Sequence, residues 1–226
     1  AVGDPGGSVL VLGCHAALAV TAHLLFGAAF GAAALLQAGE WLRRRLPLAE
    51  ESGEATGEDA RVAKNCVVFV CLMFSFGLLP GSAIFDLARY IFASVSELRI
   101  ELALTLLRYA GRSLRADCAE DFREVLRFVN DTASSSQAAL AAGQEPSDMR
   151  TRVDFLLREL SDLKNNKTSF AAMDRFEHVR SWLRSSTLVA AKKVADHQLA
   201  VPFRFMQDAP PVGWPLGGAA AAAGPR

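Results

Sequence analysis

Apolar residues recur at helical spacing along most of this chain, and no segment reads convincingly as a strand. Val9 to Leu46 is predicted to be helical, with a break around Gly27–Gly31 and a stop before Pro47, because an interior proline forfeits a backbone donor and crowds the preceding turn. Residues 47–59 (PLAEESGEATGED) are polar and acidic and read as a loop. Ala60 to Phe76 is a second helical stretch, turning at Gly77–Gly81. Ser82 to Phe92 follows, with Ile84, Leu87, Ala88 and Ile91 at i, i+3, i+4, i+7 spacing. Ser94-Val95-Ser96-Glu97 has the form of a capping box and opens a helix to Ala110, with Gly111 as its left-handed terminator. Leu98, Ile100, Leu102, Leu104, Leu106 and Leu107 cover more than one face of that helix, as a helix buried on two sides requires. The next starts at Asp117 or Cys118, carries Phe122, Val125, Leu126 and Val129 on one stripe, and fades into the Ser/Ala/Gly/Gln segment at 133–145.

Pro146-Ser147-Asp148 restarts a helix whose stripe is Val153, Leu156, Leu157, Leu160 and Leu163. Arg150, Arg152, Arg158 and Lys164 sit off that stripe, and Lys164-Asn165-Asn166-Lys167 ends the helix with a cation followed by asparagine. The expected organisation is a disordered start at 1–8, a helical domain at 9–167 and a different region at 168–226. In the last region Met173 to Val194 is read as an irregular basic helix, and Pro202, Pro210, Pro211 and Pro215 as an extended tail. Helix pairs recur roughly every 35–45 residues, the period of HEAT-type solenoids, although the pairs share no clear sequence identity.

Composition adds two constraints. Lys+Arg and Asp+Glu are both 24, so there is no whole-surface basic field for nucleic acid, although a local basic patch stays open. The hydrophobic share of 51% is slightly high, and the excess lies in two uncharged runs, Val9 to Ala38 and Cys66 to Phe85. Each run passes a hydropathy test for a membrane helix, and Arg43, Arg44 and Arg45 resemble a cytoplasmic flank. Against insertion, the first run carries His15, Thr21, His23 and Gln37 and favours Ala and Gly, and the second is broken by Gly77, Pro80 and Gly81. The residues alone leave both readings open. Cys14, Cys66, Cys71 and Cys118 form no C-x-x-C pair and are expected to be buried thiols in a reducing compartment.

No nucleotide-binding, hydrolase or metalloprotease motif is present, and no catalytic residue, cofactor site or metal site is expected. His15 and His23 read as packed or capping residues, and Trp41 and Trp182 as packing residues rather than a base-stacking platform. Glu58/Asp59 and Glu120/Asp121 are adjacent in sequence and read as solvated faces that favour helix N-termini.

Residues 84–130 (IFDLARYIFASVSELRIELALTLLRYAGRSLRADCAEDFREVLRFVN) and 149–167 (MRTRVDFLLRELSDLKNNK) together resemble the middle domain of translation initiation factor 4G. The likeness rests on a Leu-rich helix leading into Gly111 and Leu114, and on Arg152, Phe155, Leu156 and Leu163 before Lys164-Asn165-Asn166. Gly111, Ser113, Leu114, Arg115 and Asp117 fit the G-x-S-L-R-x-D element of its nucleolar, ribosome-biogenesis branch. The resemblance implies an all-α fold of HEAT-type stacked antiparallel helix pairs, here the later half of the domain, with the apolar runs as solenoid core rather than membrane spans. It implies a non-catalytic scaffold, in the nucleus and nucleolus, acting within a precursor small-subunit ribosomal particle. The partner it implies is a DEAD-box RNA helicase of the initiation-factor 4A type, held in a productive arrangement of its two lobes. Candidate contacts are Arg150, Arg152, Arg158, Lys164, Asn165 and Asn166, which would meet either helicase groups or RNA phosphates. The alternatives are a passive structural part of a ribonucleoprotein, a splicing or translation scaffold of the same superfamily, and, remotely, a small helical membrane protein.

Overall fold

The computed structural model describes residues 5–53, 57–94, 96–142, 147–165, 167, 171–185 and 198–199. Among these there are only helices and the turns between them: α1 (Pro5–Phe26), α2 (Ala28–Ser52), α3 (Glu58–Ser75), α4 (Gly81–Ile91), α5 (Glu97–Asp117), α6 (Ala119–Ala142), α7 (Ser147–Lys164), α8 (Ala171–Asp174) and α9 (Glu177–Ser185). In one layer α1, α3, α5 and α7 pack in succession. α2 packs on α1 and α3, α4 bridges α3, α5 and α6, and α6 packs on α4, α5 and α7. This is a HEAT-like solenoid of stacked antiparallel helix pairs.

The periodicity places the helices well, and their ends are where the structure departs from it. The expected break falls at Gly27, whose φ of 109° lies in the region open to glycine and splits the first apolar run into α1 and α2. Pro47 does not stop α2, which continues to Ser52 and ends on left-handed Gly53. Of the loop expected at 47–59, residues 47–52 belong to α2 and 58–59 to α3, and residues 54–56 lie outside the described residues. Tertiary anchoring outweighs the lost hydrogen bond. Leu46 and Ala49 are buried on either side of Pro47, and the Glu50 carboxylate is gripped by Arg99 through Nε (2.7 Å) and Nη2 (2.9 Å).

The same contacts relocate the start of α5. Its N-cap is Ser96, whose hydroxyl accepts the Arg99 N–H at 3.3 Å and donates to Glu50 at 2.6 Å. Glu97 is therefore the first residue of the helix and cannot close a box with Ser94. Arg99 also donates to the Tyr90 and Ile91 carbonyls at the end of α4, at 2.9 and 3.0 Å. One buried guanidinium thus ties α2, α4 and α5 together.

Gly111 is not a terminator either, because α5 runs through it to Asp117. A Cβ there would lie 3.0 Å from a Leu163 methyl, so the glycine serves close approach of α7 to α5. α6 extends to Ala142 instead of fading from residue 133, and its Phe128 ring meets Phe85 and Phe92 edge-on. Beyond α7, α8 and α9 fold back over the stack. Phe176 between them is fully buried, packs edge-on against Phe76, and sits where a Cβ on Gly13 would be. Of the irregular helix expected at 173–194, the described part is short helices ending at Ser185.

Both uncharged runs contribute to the core, but unequally. Cys66 to Phe85 is almost wholly interior, whereas α1 buries Ala16, Ala17, Val20 and Leu24 and leaves Leu18 at 65% and Phe26 at 71% exposure. Among the described residues one helix, Val9–Phe26, is long and apolar enough to cross a bilayer, a test that core helices of soluble proteins also pass. The expectation of four buried thiols holds for Cys66 and Cys71, while Cys118 is half-buried and Cys14 is exposed. Trp41 and Trp182, read as packing residues, are each about half exposed.

Candidate interaction surface on the last helices

α7 buries Val153, Leu156, Leu160 and Leu163 against α5 and α6, as its stripe requires. With helical spacing, the side chains flanking that stripe fall into two different grooves. Arg152 lies on the α5 side, 2.7 Å from the Glu97 carboxylate. There it joins Lys64, Arg108, Thr105, Thr151 and the half-exposed Phe155 in a groove of about 480 Å³. Lys64 in turn pairs with Glu101.

Lys164 lies on the opposite flank, in a groove of about 660 Å³ between α6 and α7. Its walls carry Arg123, Arg127, Asn130 and Asp131 from α6 and Ser161 and Lys164 from α7, and its floor is Phe122, Leu126, Leu157 and Leu160. Arg123, Arg127 and Lys164 are exposed. Arg150 and Arg158 are exposed and line neither groove, and Asn165 is exposed with its amide 3.4 Å from the Ser161 hydroxyl. Asn166 lies outside the described residues. The five described candidates therefore do not share one groove: Arg152 lies in the groove toward α5 and Lys164 in the groove toward α6. Arg123 and Arg127, which flank the apolar stripe of α6 one turn apart, were missed, and their i, i+4 spacing beside Phe122 and Leu126 was the available signal.

A third groove, of about 420 Å³, lies at the other end of the stack and is almost wholly apolar, lined by Leu12, His15, Ala38, Trp41, Cys66 and Phe69 among others. His15 is thus an exposed wall residue, and His23 is buried against Gly31. Burial pushes the Cys66 thiol up to about 11 and the Cys71 thiol higher still, which removes their thiolates near neutrality. Among the described residues no group of three His, Cys, Asp or Glu side chains is placed to hold a metal.

Stacked antiparallel helix pairs with grooves between them define a helical protein of the HEAT-like solenoid class. The chain belongs to the MIF4G domain family, which matches it over residues 11–167. It is 27% identical over 169 residues to Suppressor of glycerol defect protein 1 of Schizosaccharomyces pombe, covering 73% of this chain and 20% of that protein. It is 30% identical over 110 residues to Nucleolar MIF4G domain-containing protein 1 of Homo sapiens, covering 49% of this chain and 12% of that protein. A similar likeness, 26% over 133 residues, extends to Suppressor of glycerol defect protein 1 of Saccharomyces cerevisiae, over 57% of this chain and 14% of that protein. The chain thus spans no more than a fifth of the length of these curated relatives. No solved structure matches the chain. Members of the family are generally non-catalytic scaffolds that mediate protein and RNA interactions.

Proposed function

We propose that this chain is a non-catalytic scaffold in small-subunit ribosome biogenesis that binds a DEAD-box RNA helicase of the initiation-factor 4A type and stimulates it, within the nucleolus. The observation that carries the reading is family membership over residues 11–167, together with similarity to a relative whose name places that relative in the nucleolus. The two grooves flanking α7 support it in physical terms, since they offer cations from a rigid stack at two separate places. A scaffold of this kind accelerates turnover only by preferring one arrangement of the helicase lobes over the other, which is a population shift. The contacts would be made by Arg150, Arg152, Arg158, Lys164, Asn165 and Asn166, with Arg123 and Arg127 added.

The test is capture of purified DEAD-box helicases on the immobilised chain, followed by RNA-stimulated ATPase assays on those retained. Specific retention with faster ATP turnover is the expected result. Retention of none would remove the helicase from the reading and leave a passive structural scaffold. Retention without faster turnover would remove the stimulation.

A further inference from the structure

We propose that the α6–α7 groove is a docking site for an acidic amphipathic helix of a protein partner. This goes beyond the helicase reading, because it names the chemistry of the bound segment and holds for whichever protein carries it.

Charge complementarity is the first argument. Arg123, Arg127 and Lys164 rim the groove against one carboxylate, Asp131, in a chain whose total charge is balanced. Arg123 and Arg127 stand one helical turn apart on α6, and Lys164 faces them from α7. A helix with carboxylates at i and i+4 presents its charges at the same pitch.

The floor is the second argument. Leu126 and Leu157 are half-buried between the cationic rims, and Phe122 and Leu160 close the bottom. A leucine or phenylalanine stripe laid along that floor would complete the burial of Leu126 and Leu157. The groove runs between two packed helices, so a third helix seats in it as helices seat on one another elsewhere in the stack.

The floor also separates this partner from RNA. Nucleic acid without regular pairing is held by exposed aromatic faces as well as cations. Phe122, the aromatic ring lining this groove, is buried, at 8% exposure. Aliphatic side chains give phosphates nothing.

The experiment measures fluorescence anisotropy of a labelled synthetic helix of about 18 residues, long enough to hold helical structure, with leucines on one face and glutamates flanking them. The titrant is the full chain. The expected result is saturable binding that weakens at least tenfold, about 1.4 kcal/mol, in Arg127→Glu/Lys164→Glu. Leu157→Asp is expected to weaken it similarly, and the same peptide with lysines in place of glutamates is expected not to bind. Arg127→Gln/Lys164→Gln, which removes the charges without reversing them, is expected to fall in between. Far-ultraviolet circular dichroism checks that each variant stays helical. An acidic peptide that does not bind, or that binds all variants equally, overturns the proposal. So does a single-stranded RNA probe that binds through the same cations with a steep log–log salt dependence while the peptide does not bind.

Discussion

The two ends of the stack are built from different chemistry. α1 carries no charged side chain from Val9 to Phe26, yet only one of its sides is covered, so Leu18 and Phe26 stand in the open. α7 buries one stripe, and its exposed face carries Arg150, Asp154, Arg158 and Lys164 alongside Thr151, Ser161 and half-exposed Phe155. α3 and α5, between them, have neighbours on both sides and apolar residues to match. A helix inside a solenoid spends its surface on its neighbours, whereas an end helix shows in its outer face what it meets. An uncharged apolar face supplies contact area with little discrimination, while placed cations select among partners. On that ground we place the proposed docking site at the α6–α7 end rather than on α1.

The strongest way to break this contrast is to release the segment that straps the near end. Phe176→Ala empties a fully buried site against Phe76 and Gly13, and should cost about 3–5 kcal/mol in urea unfolding. A cost under about 1 kcal/mol would mean that α8 and α9 do not hold α1. Next is Arg99→Ala, which strips Glu50 of its guanidinium and frees two carbonyls at the end of α4. A loss of about 3 kcal/mol is expected, the lower end for a broken buried pair because Glu50 keeps some contact with water. Leu160→Ala on α7 should cost at least about 2 kcal/mol, whereas Leu18→Ala on the open face of α1 should stay within about 0.5 kcal/mol. Equal losses at the two positions would show that α1 is covered in solution.

A smaller effect appears in acid. Burial alone would raise the Glu50 carboxyl, but the Arg99 guanidinium and Ser96 hydroxyl outweigh it and hold the group below its ordinary value of 4.5. A depressed carboxyl contributes its full stability above that value and loses it as pH falls through the folded one. Below about pH 4.5 the native chain should therefore lose stability more steeply than Glu50→Gln, and parallel slopes would refute the clamp. The smallest effect is chemical. A thiol reagent at neutral pH should modify exposed Cys14 first and half-buried Cys118 more slowly, leaving Cys66 and Cys71 untouched until unfolding.

What the sequence made legible follows from what is local. The stripes of α4, α6 and α7 are periodic and were readable residue by residue. Pro47, Ser96 and Gly111 depart from their local signals because distant residues decide them. Arg99 anchors the helix past Pro47, Glu50 selects Ser96 over Ser94 as the cap, and Leu163 needs the space at Gly111. The cations of α7 were visible, but their division between two grooves depends on α5 lying on one flank and α6 on the other. The openness of α1 was hidden for the same reason: composition records what a face is made of, not whether anything covers it.

The most direct test of the contrast is hydrogen–deuterium exchange of the chain with and without a helicase retained in the capture assay. Slowed exchange over residues 119–164, with 9–46 unchanged, is the predicted result. Protection confined to 9–46 would contradict the account and move the binding end to the apolar face.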